Sequence, residues 1–137
     1  MIGILVVSHE PLGTALLHCT RHIFGRLPSQ LAALDVIPDE DPEIAVESAR
    51  ELLKRINDGS GVLVLTDVWG ATPSRVASRL AEVDRVAVLA GVNLPMLVKG
   101  LTDRRRPQPL GDLVGRLLVG GREAVVQVLP QPPAESV

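Results

Sequence analysis

The sequence alternates short apolar runs with amphipathic helical patterns, and this alternation restricts the possible folds more than any other feature. The apolar runs are rich in Val, Ile and Leu and occupy residues 2–7, 31–37, 62–66, 85–90 and 124–129. In the middle runs the apolar residues are consecutive, which is typical of parallel strands covered on both faces. Strands that alternate with helices form βαβ units with right-handed crossovers. The sequence therefore predicts a single three-layer α/β domain with a mainly parallel sheet.

Amphipathic stripes mark the helices between these runs. The stripes are Leu12, Ala15, Leu16, Cys19 and Ile23, then Ala45, Ala49, Leu52, Leu53 and Ile56, then Val76, Ala77 and Leu80. Residues 94–101 and 110–118 predict two further helices, separated by a basic turn at residues 104–107. We expect this turn to be solvated, and the alternative is a basic docking patch formed by Lys99 with residues 104–106.

Boundary residues support these helices. Asp41 and Thr72 each precede a proline, which is the pattern of a capping residue followed by proline at the first helical position. Pro11 is expected to open the first helix, and Gly25 and Gly59 to end the first and second.

The C-terminal region divides into two parts. Residues 124–129 follow two glycines and predict an antiparallel strand at the edge of the sheet, so the domain is expected to span residues 1–129. Residues 130–137 contain three prolines and too few apolar side chains for a core element. We expect them to form a flexible tail.

Composition favours a folded domain and disfavours nucleic-acid binding. Of the 137 residues, 46% are hydrophobic and 22% are charged, which suits one folded domain. Phe24 and Trp69 are the only aromatic residues, so the stacking platforms of single-stranded nucleic-acid binders are missing. A net charge of −2 gives no basic footprint. Nucleic acid is therefore not an expected partner.

The sequence predicts a cytoplasmic protein without membrane insertion. Residues 2–7 follow no basic residue and are too short to span a bilayer, so they indicate a buried strand rather than a signal peptide. Cys19 is the sole cysteine, which rules out an internal disulfide and a cysteine-rich zinc site.

A candidate site lies where the predicted strands end. Ligands of open α/β sheets bind beyond the carboxyl ends of the strands, where strand order reverses. With the common strand order 2-1-3-4, the first and third strands are neighbours, so His9 and Asp67 end adjacent strands. The candidate residues are His9 after the first strand, Asp67, Trp69, Gly70, Ala71 and Thr72 after the third, and Asn93 and Pro95 after the fourth.

Residue chemistry at this edge favours phosphoryl transfer through a phosphohistidine. A carboxylate that accepts a hydrogen bond from the N–H of one ring nitrogen of His9 fixes the tautomer and leaves the other nitrogen free as a nucleophile. The turn at residues 70–73 supplies backbone N–H groups and a helix N-terminus, which attract anions. An acyl-transfer triad is disfavoured because the side chain of Ser8 points away from that of His9 in a strand. The alternatives are a purely structural histidine and an Asp67 that only caps a turn.

Three sequence motifs together resemble the mannose-family EIIA domain of the bacterial phosphoenolpyruvate-dependent sugar phosphotransferase system. They are GILVVSH at residues 3–9, TDVWGATP at residues 66–73 and AGVNLPML at residues 90–97. Each motif alone is weak, but all three occur in order and with consistent spacing. The resemblance extends from residue 1 to about residue 129.

This resemblance implies a role for each part of the site. His9 would accept a phosphoryl group from phospho-HPr and pass it to a cysteine- or histidine-bearing EIIB partner, which we expect on a separate chain. Asp67 would orient His9, and Thr72 with the amides of Gly70 and Ala71 would hold the phosphoryl group. No metal or nucleotide cofactor is implied. The family is dimeric, with the last strand exchanged between subunits.

Three positions depart from the family pattern. The family commonly has glycine where this chain has Glu10, whose charge beside an incoming phosphoryl group is expected to slow transfer or alter partner choice. It also has Gly-Ser where this chain has Ala71 and Thr72, but Thr72 retains the hydroxyl. Two alternatives share the phosphohistidine: a regulatory module whose partner binding is switched by phosphorylation, and a dihydroxyacetone kinase subunit, which fits residues 92–96 less well.

Several residues carry weaker signals. Trp69 on a loop indicates either a partner surface or a packed lid, and we favour the partner surface. Asn93 and Pro95 are assigned to the same surface, although Asn93 alternatively only holds its loop. His18 and His22 stand four residues apart on a helix, a spacing that suits a metal, but no third ligand is evident. We expect both histidines to be solvated.

Overall fold

Four parallel strands form the sheet in the computed structural model, which describes residues 1–134. They are β1 (Gly3–His9), β2 (Leu31–Val36), β3 (Val62–Thr66) and β4 (Val86–Ala90). Their order is β2-β1-β3-β4, and every neighbouring pair is parallel. This confirms the predicted strand order.

Helices cover both faces of this sheet. They are α1 (Leu12–Phe24), α2 (Pro42–Ile56), α3 (Thr72–Ser78), α4 (Leu94–Asp103) and α5 (Leu110–Glu123). Apolar side chains of α1, α4 and α5 share one core with one face of the sheet, and those of α2 and α3 share a second core with the other face. The predicted three-layer arrangement is confirmed. Among the helices within residues 1–134, none is both long and apolar enough to cross a lipid bilayer.

The two cores explain why the strand sequences are apolar throughout. In β1, Ile4 and Val6 face one core while Leu5 and Val7 face the other, and all four side chains are fully buried. Consecutive apolar residues are therefore required, because alternate side chains enter different cores.

Strand register brings the ends of β1 and β3 together. Val7 lies opposite Thr66, the last residue of β3, and His9 lies opposite Val36, the last residue of β2. The loops that follow β1 and β3 consequently begin side by side at the carboxyl edge of the sheet.

The residues that helix α1 buries differ from the predicted apolar stripe. Of that stripe only Leu16 is buried, whereas Cys19 and Ile23 are exposed. The buried positions are instead Gly13, Leu16 and Thr20. Small residues allow close approach to β2, because a Cβ atom on Gly13 would lie 3.1 Å from the Cβ of Ala33. A prediction based only on apolar residues did not identify this buried face, because a glycine and a threonine form part of it.

Two helix boundaries agree with the sequence predictions and two differ in detail. The side chain of Asp41 does cap α2, accepting the N–H of Glu43 at 2.9 Å, and Gly25 ends α1 in the left-handed conformation. However, α2 ends at Ile56, so Gly59 belongs to the following turn and does not terminate the helix. Thr72 is the first helical residue of α3 rather than its cap, which is Ala71.

The predicted fifth strand does not form within this chain. After α5, residues 125–134 have no regular secondary structure, and the tail residues 135–137 lie outside the described part. Apolar side chains nevertheless dominate residues 125–129, and Val125, Val126, Val128 and Leu129 are all strongly exposed. Within the described residues, this segment pairs with no strand.

The basic turn at residues 104–107 is only partly solvated, contrary to expectation. Arg104 is 3% exposed, whereas Arg105 and Arg106 are exposed. The Arg104 guanidinium donates hydrogen bonds to the carbonyl oxygens of Ile2, Ser29 and Gln30. It thereby joins the segments that precede β1 and β2.

Candidate functional site

A hydrogen-bonded pair of side chains, His9 and Asp67, lies at the carboxyl edge of the sheet. His9 is the last residue of β1, and Asp67 directly follows β3. The Nδ1 atom of His9 lies 2.7 Å from Oδ2 of Asp67, and the same oxygen accepts the backbone N–H of His9 at 3.0 Å. Two contacts from one residue to one oxygen fix both the position and the rotation of the ring. The structure thus brings together the two residues that the sequence placed on adjacent strands.

The two side chains differ in exposure. The His9 side chain is 53% exposed, whereas that of Asp67 is 10% exposed. Nε2 of His9 forms no hydrogen bond within residues 1–134. With an ionised Asp67 at Nδ1, that nitrogen carries the ring proton, and the lone pair of Nε2 faces outward. The ring is therefore arranged as an accessible nucleophile.

Hydrogen bonds keep Asp67 ionised. Burial acts to raise the pKa of Asp67, but hydrogen bonds from the backbone and ring of His9 and from the backbone N–H of Val68 outweigh it. The pKa of Asp67 is consequently lower than its usual value. Its charge would stabilise a positively charged His9 ring.

The neighbouring residue Ser8 faces away from this pair. Its side chain is fully buried, and Oγ lies 3.1 Å from the place a Cβ on Gly13 would occupy, beneath α1. Strand alternation thus places Ser8 and His9 on opposite faces of the sheet. The geometry is inconsistent with a Ser–His nucleophile pair at these two positions.

The loop after β3 uses part of its hydrogen-bonding capacity internally. The N–H of Gly70 binds Oγ of Ser74 at 2.9 Å, and the N–H of Ala71 binds the carbonyl of Val68 at 3.2 Å. Thr72 is exposed at the first position of α3, where backbone N–H groups have no acceptor within the helix. Of the three residues expected to hold a phosphoryl group, Thr72 therefore has the most freely available hydrogen-bond donors. The N–H groups of Gly70 and Ala71 would have to leave their present acceptors in order to bind such a group.

A hydroxyl that the sequence analysis missed stabilises this loop. Ser74 Oγ accepts from Gly70 and donates to the carbonyl of Ala71 at 2.8 Å, and Ser74 is 1% exposed. The available signal was a serine in the first turn of a predicted helix, four residues after a glycine. In the structure that glycine, Gly70, adopts a positive φ of 90°.

The loop after β4 is held firmly against β3 and α5. Gly91 and Val92 donate their N–H groups to the carbonyls of Asp67 and Thr66, at 2.7 and 3.0 Å. The side chain of Asn93 accepts from Met96 N–H at 2.8 Å and donates to the carbonyl of Gly121 at 3.1 Å. Asn93 therefore caps α4 and anchors its loop, which leaves little of its amide for a partner.

Exposed apolar side chains adjoin the His9–Asp67 pair. Trp69 is 77% exposed and Val68 is 60% exposed, both within two residues of Asp67. Pro95, on the neighbouring loop, is also exposed. Large apolar side chains left in water beside a reactive group are typical of a protein-docking surface.

A second carboxylate near the site went unrecognised in the sequence. Asp35 in β2 accepts hydrogen bonds from the backbone N–H and hydroxyl of Thr14, at 3.1 and 2.5 Å. It thereby holds the first turn of α1, which begins three residues after His9. A charged residue within an otherwise apolar strand was the available signal.

The remaining histidines lie apart from this site. His18 and His22 are exposed on α1. Within residues 1–134, no group of three or more His, Cys, Asp or Glu side chains is arranged to hold a metal ion.

Comparison with known proteins establishes the family. The family model EIIA-man, described as the PTS system fructose IIA component, matches residues 3–116. The chain belongs to the EIIA-man family. The matched region contains His9, Asp67 and all three motifs on which the resemblance was based. That resemblance is confirmed.

Two relatives of this EIIA-man chain are also named as components of phosphotransferase systems. The mannose-specific EIIAB component of Escherichia coli K12 is 31% identical over 132 residues, which are 96% of this chain and 41% of that protein. The chain thus spans about two fifths of the length of that relative. The fructose-specific EIIA component of Bacillus subtilis is 34% identical over 118 residues, which are 85% of this chain and 80% of that protein.

A solved structure shares the fold of this EIIA-man chain. The crystal structure of phosphotransferase system component EIIA from Streptococcus agalactiae matches with a TM-score of 0.83 at 27% identity. The match covers 93% of this chain and 97% of that one. The four-stranded parallel architecture is therefore that of an EIIA component.

Proposed function

We propose that this chain is a cytoplasmic phosphocarrier of a sugar phosphotransferase system. His9 accepts a phosphoryl group from phospho-HPr and passes it to an EIIB component on a separate chain. The observation that carries the proposal is an imidazole that is half exposed while its Nδ1 is held at 2.7 Å by a nearly buried carboxylate. Family membership supports the same chemistry.

The transfer step uses the free nitrogen of His9. The Nε2 lone pair attacks the phosphorus of the donor phosphohistidine, so that a new N–P bond forms as the donor's N–P bond breaks. The electron pair of the broken bond returns to the donor nitrogen. The proton on Nδ1 stays in place, and Asp67 stabilises the positive charge that develops on the ring. In the transfer to EIIB, the cysteine or histidine of EIIB attacks the same phosphorus atom, and the N–P bond to His9 breaks.

The phosphoryl group would lie next to the loop after β3. Thr72 offers an exposed hydroxyl and a backbone N–H at the first position of α3. The N–H groups of Gly70 and Ala71 would join it after exchanging their internal acceptors. Glu10, also exposed at this edge, is a negative charge that the incoming group must approach.

The exposed residues Val68 and Trp69 would form the centre of the partner surface. They adjoin Asp67 and leave the His9 ring accessible. Pro95 would extend this surface, with Asn93 fixing the loop from below.

The phosphocarrier is proposed to act as a homodimer that exchanges its C-terminal segments. Strand β4 is at one edge of the sheet, so its outer backbone groups are available to another strand. Residues 125–129 follow α5 without regular secondary structure and carry four exposed apolar side chains. Pairing of this segment with β4 of a second copy, in antiparallel orientation, would cover both.

Phosphorylation by purified phospho-HPr tests the assignment of His9. The native protein should gain one acid-labile, base-stable phosphoramidate, detected by intact mass and mapped by peptide analysis. His9→Ala should abolish the modification, while His18→Ala and His22→Ala should be modified like the native protein. Thermal unfolding of each variant checks that the fold is retained. Modification of a folded His9→Ala variant would contradict the proposal.

Onward transfer separates a carrier from a regulatory module. The phosphorylated protein, mixed with purified EIIB components from the same organism, should transfer its phosphoryl group to one of them. If it transfers to none of them but binds another protein differently before and after phosphorylation, regulation is the correct function.

A further inference from the structure

A strongly basic hollow lies at the amino edge of the sheet, opposite His9. It has a volume of about 490 Å³, and its lining includes Arg26, Arg104 and Arg105. Its remaining wall includes the apolar residues Phe24 and Leu27. No Asp or Glu lines it within the described residues.

The cationic side chains of this hollow lack counter-charges. None of its three arginines forms an ion pair with a carboxylate within residues 1–134. The one ammonium nearby, at the N-terminus, is already paired with Asp58 at 2.5 Å. The hollow therefore retains a net positive charge.

Arg104 is fixed in place before any ligand arrives. Its two terminal nitrogens donate to backbone carbonyls on the segments before β1 and β2. Its Nε is buried and has no hydrogen-bond partner in the described part of the chain. Burial, together with the charge of Arg105, lowers the pKa of Arg104 to about 10, so it stays charged at neutral pH. A positive charge held among other positive charges favours a bound anion.

We propose that this hollow binds a small organic phosphate monoester. Guanidinium groups match phosphate oxygens in geometry, and a monoester near its second pKa carries more charge than a carboxylate, which suits three cations. The wall formed by Phe24 and Leu27 would contact the organic part. A second hollow beside it is less suitable, because Gln108 contributes a buried acceptor oxygen there. The proposal is independent of phosphorylation at His9.

NMR titration of the ¹⁵N-labelled native protein with phenyl phosphate tests the proposal. We expect saturable binding with a Kd of about 1 mM or tighter, and shifts of the backbone amides of Ser29, Gln30 and Arg105. Benzoate should bind at least about tenfold more weakly, because it has less charge, and inorganic phosphate more weakly too, because it lacks the apolar part.

Matched arginine variants locate the binding. Arg26→Gln and Arg105→Gln, both at exposed positions, should each weaken phenyl phosphate binding by about tenfold or more, since each removes a charge-assisted hydrogen bond. Arg122→Gln, on the exposed side of α5, should bind like the native protein. The proposal is overturned if no saturable binding occurs, if benzoate binds equally well, if the two variants are unaffected, or if shifts are confined to residues around His9 and Val68.

Discussion

A single oxygen of Asp67 contacts both nitrogen donors that His9 presents towards it. Oδ2 lies 3.0 Å from the backbone nitrogen and 2.7 Å from Nδ1, so the carboxylate positions the chain and the ring together. The other oxygen, Oδ1, accepts the N–H of Val68 at 2.9 Å and holds the carboxylate itself in place. Rigid orientation of this kind prepares a ring nitrogen for reaction before a donor arrives.

Replacing the carboxylate by an amide should impair the ring as a nucleophile. In Asp67→Asn the side-chain NH₂ can donate to Nδ1, which favours the tautomer with the proton on Nε2. Phosphorylation by phospho-HPr should slow by about 100-fold or more, as for a histidine in the wrong tautomer. Rates come from quenched-flow labelling, and ¹⁵N shifts of the ring report the tautomer. Asp112→Asn, on the surface of α5, is the control, and an Asp67→Asn variant that reacts at the native rate would rule out this orienting role.

Acid should destabilise the native protein more than the Asp67→Asn variant. The pKa of Asp67 is lowered in the folded state, so its ionisation stabilises the fold above the unfolded pKa of about 4. That contribution is lost as the pH falls through the folded-state pKa. Asp58 and Glu43 have lowered pKa values as well, so the difference between the two proteins is the informative quantity. Urea unfolding across this range measures it, and parallel pH profiles would contradict the expectation.

Two glycine substitutions on helices should have opposite effects on stability. A Cβ on Gly13 would lie 2.6 Å from Oδ1 of Asp35, so Gly13→Ala should lower the free energy of unfolding by about 1–3 kcal/mol. Gly115 has open space around its Cβ position, so Gly115→Ala should raise that free energy by about 0.5–1 kcal/mol. Chemical denaturation of both variants provides the measurement. Equal effects would show that packing against Asp35 does not limit the position.

Shortening the C-terminus at two places should separate the segment proposed to form the dimer from the residues that follow it. A chain ending at residue 124 loses the four exposed apolar side chains of residues 125–129 and should be monomeric. A chain ending at residue 129 should stay dimeric like the native protein. Analytical ultracentrifugation gives the mass of each. A monomeric native protein, or a dimer formed by the chain that ends at residue 124, would exclude the exchanged strand.

Local sequence patterns determined the strands, the helices and much of the site. Two-sided burial requires consecutive apolar residues, so β1 and β3 could be identified directly. His9 and Asp67 follow from this, because both stand where those strands end and a common strand order makes the two strands neighbours. The family motifs lie on the same loops, and the family match contains them.

Other features depend on neighbours that are distant in sequence. Arg104 looked like one of three solvated cations, but it is buried against carbonyls of the segments around Ile2 and Gln30. The buried face of α1 depends on how closely Gly13 approaches β2, which apolarity does not encode. Residues 124–129 have the composition of a strand but form none here, because a strand requires a hydrogen-bonding partner.

The sequence by itself determined which residues are apolar, where the chain turns and which reactive side chains follow the strands, because these depend on spacing along the chain. Only the tertiary structure decided that one carboxylate oxygen contacts His9 twice and that three arginines line the same hollow. It also decided that the side chains of Asn93 and Ser74 form hydrogen bonds that stabilise the loops in which they lie. Such contacts depend on distances of a few ångströms between residues far apart in sequence, and only the packed chain sets those distances.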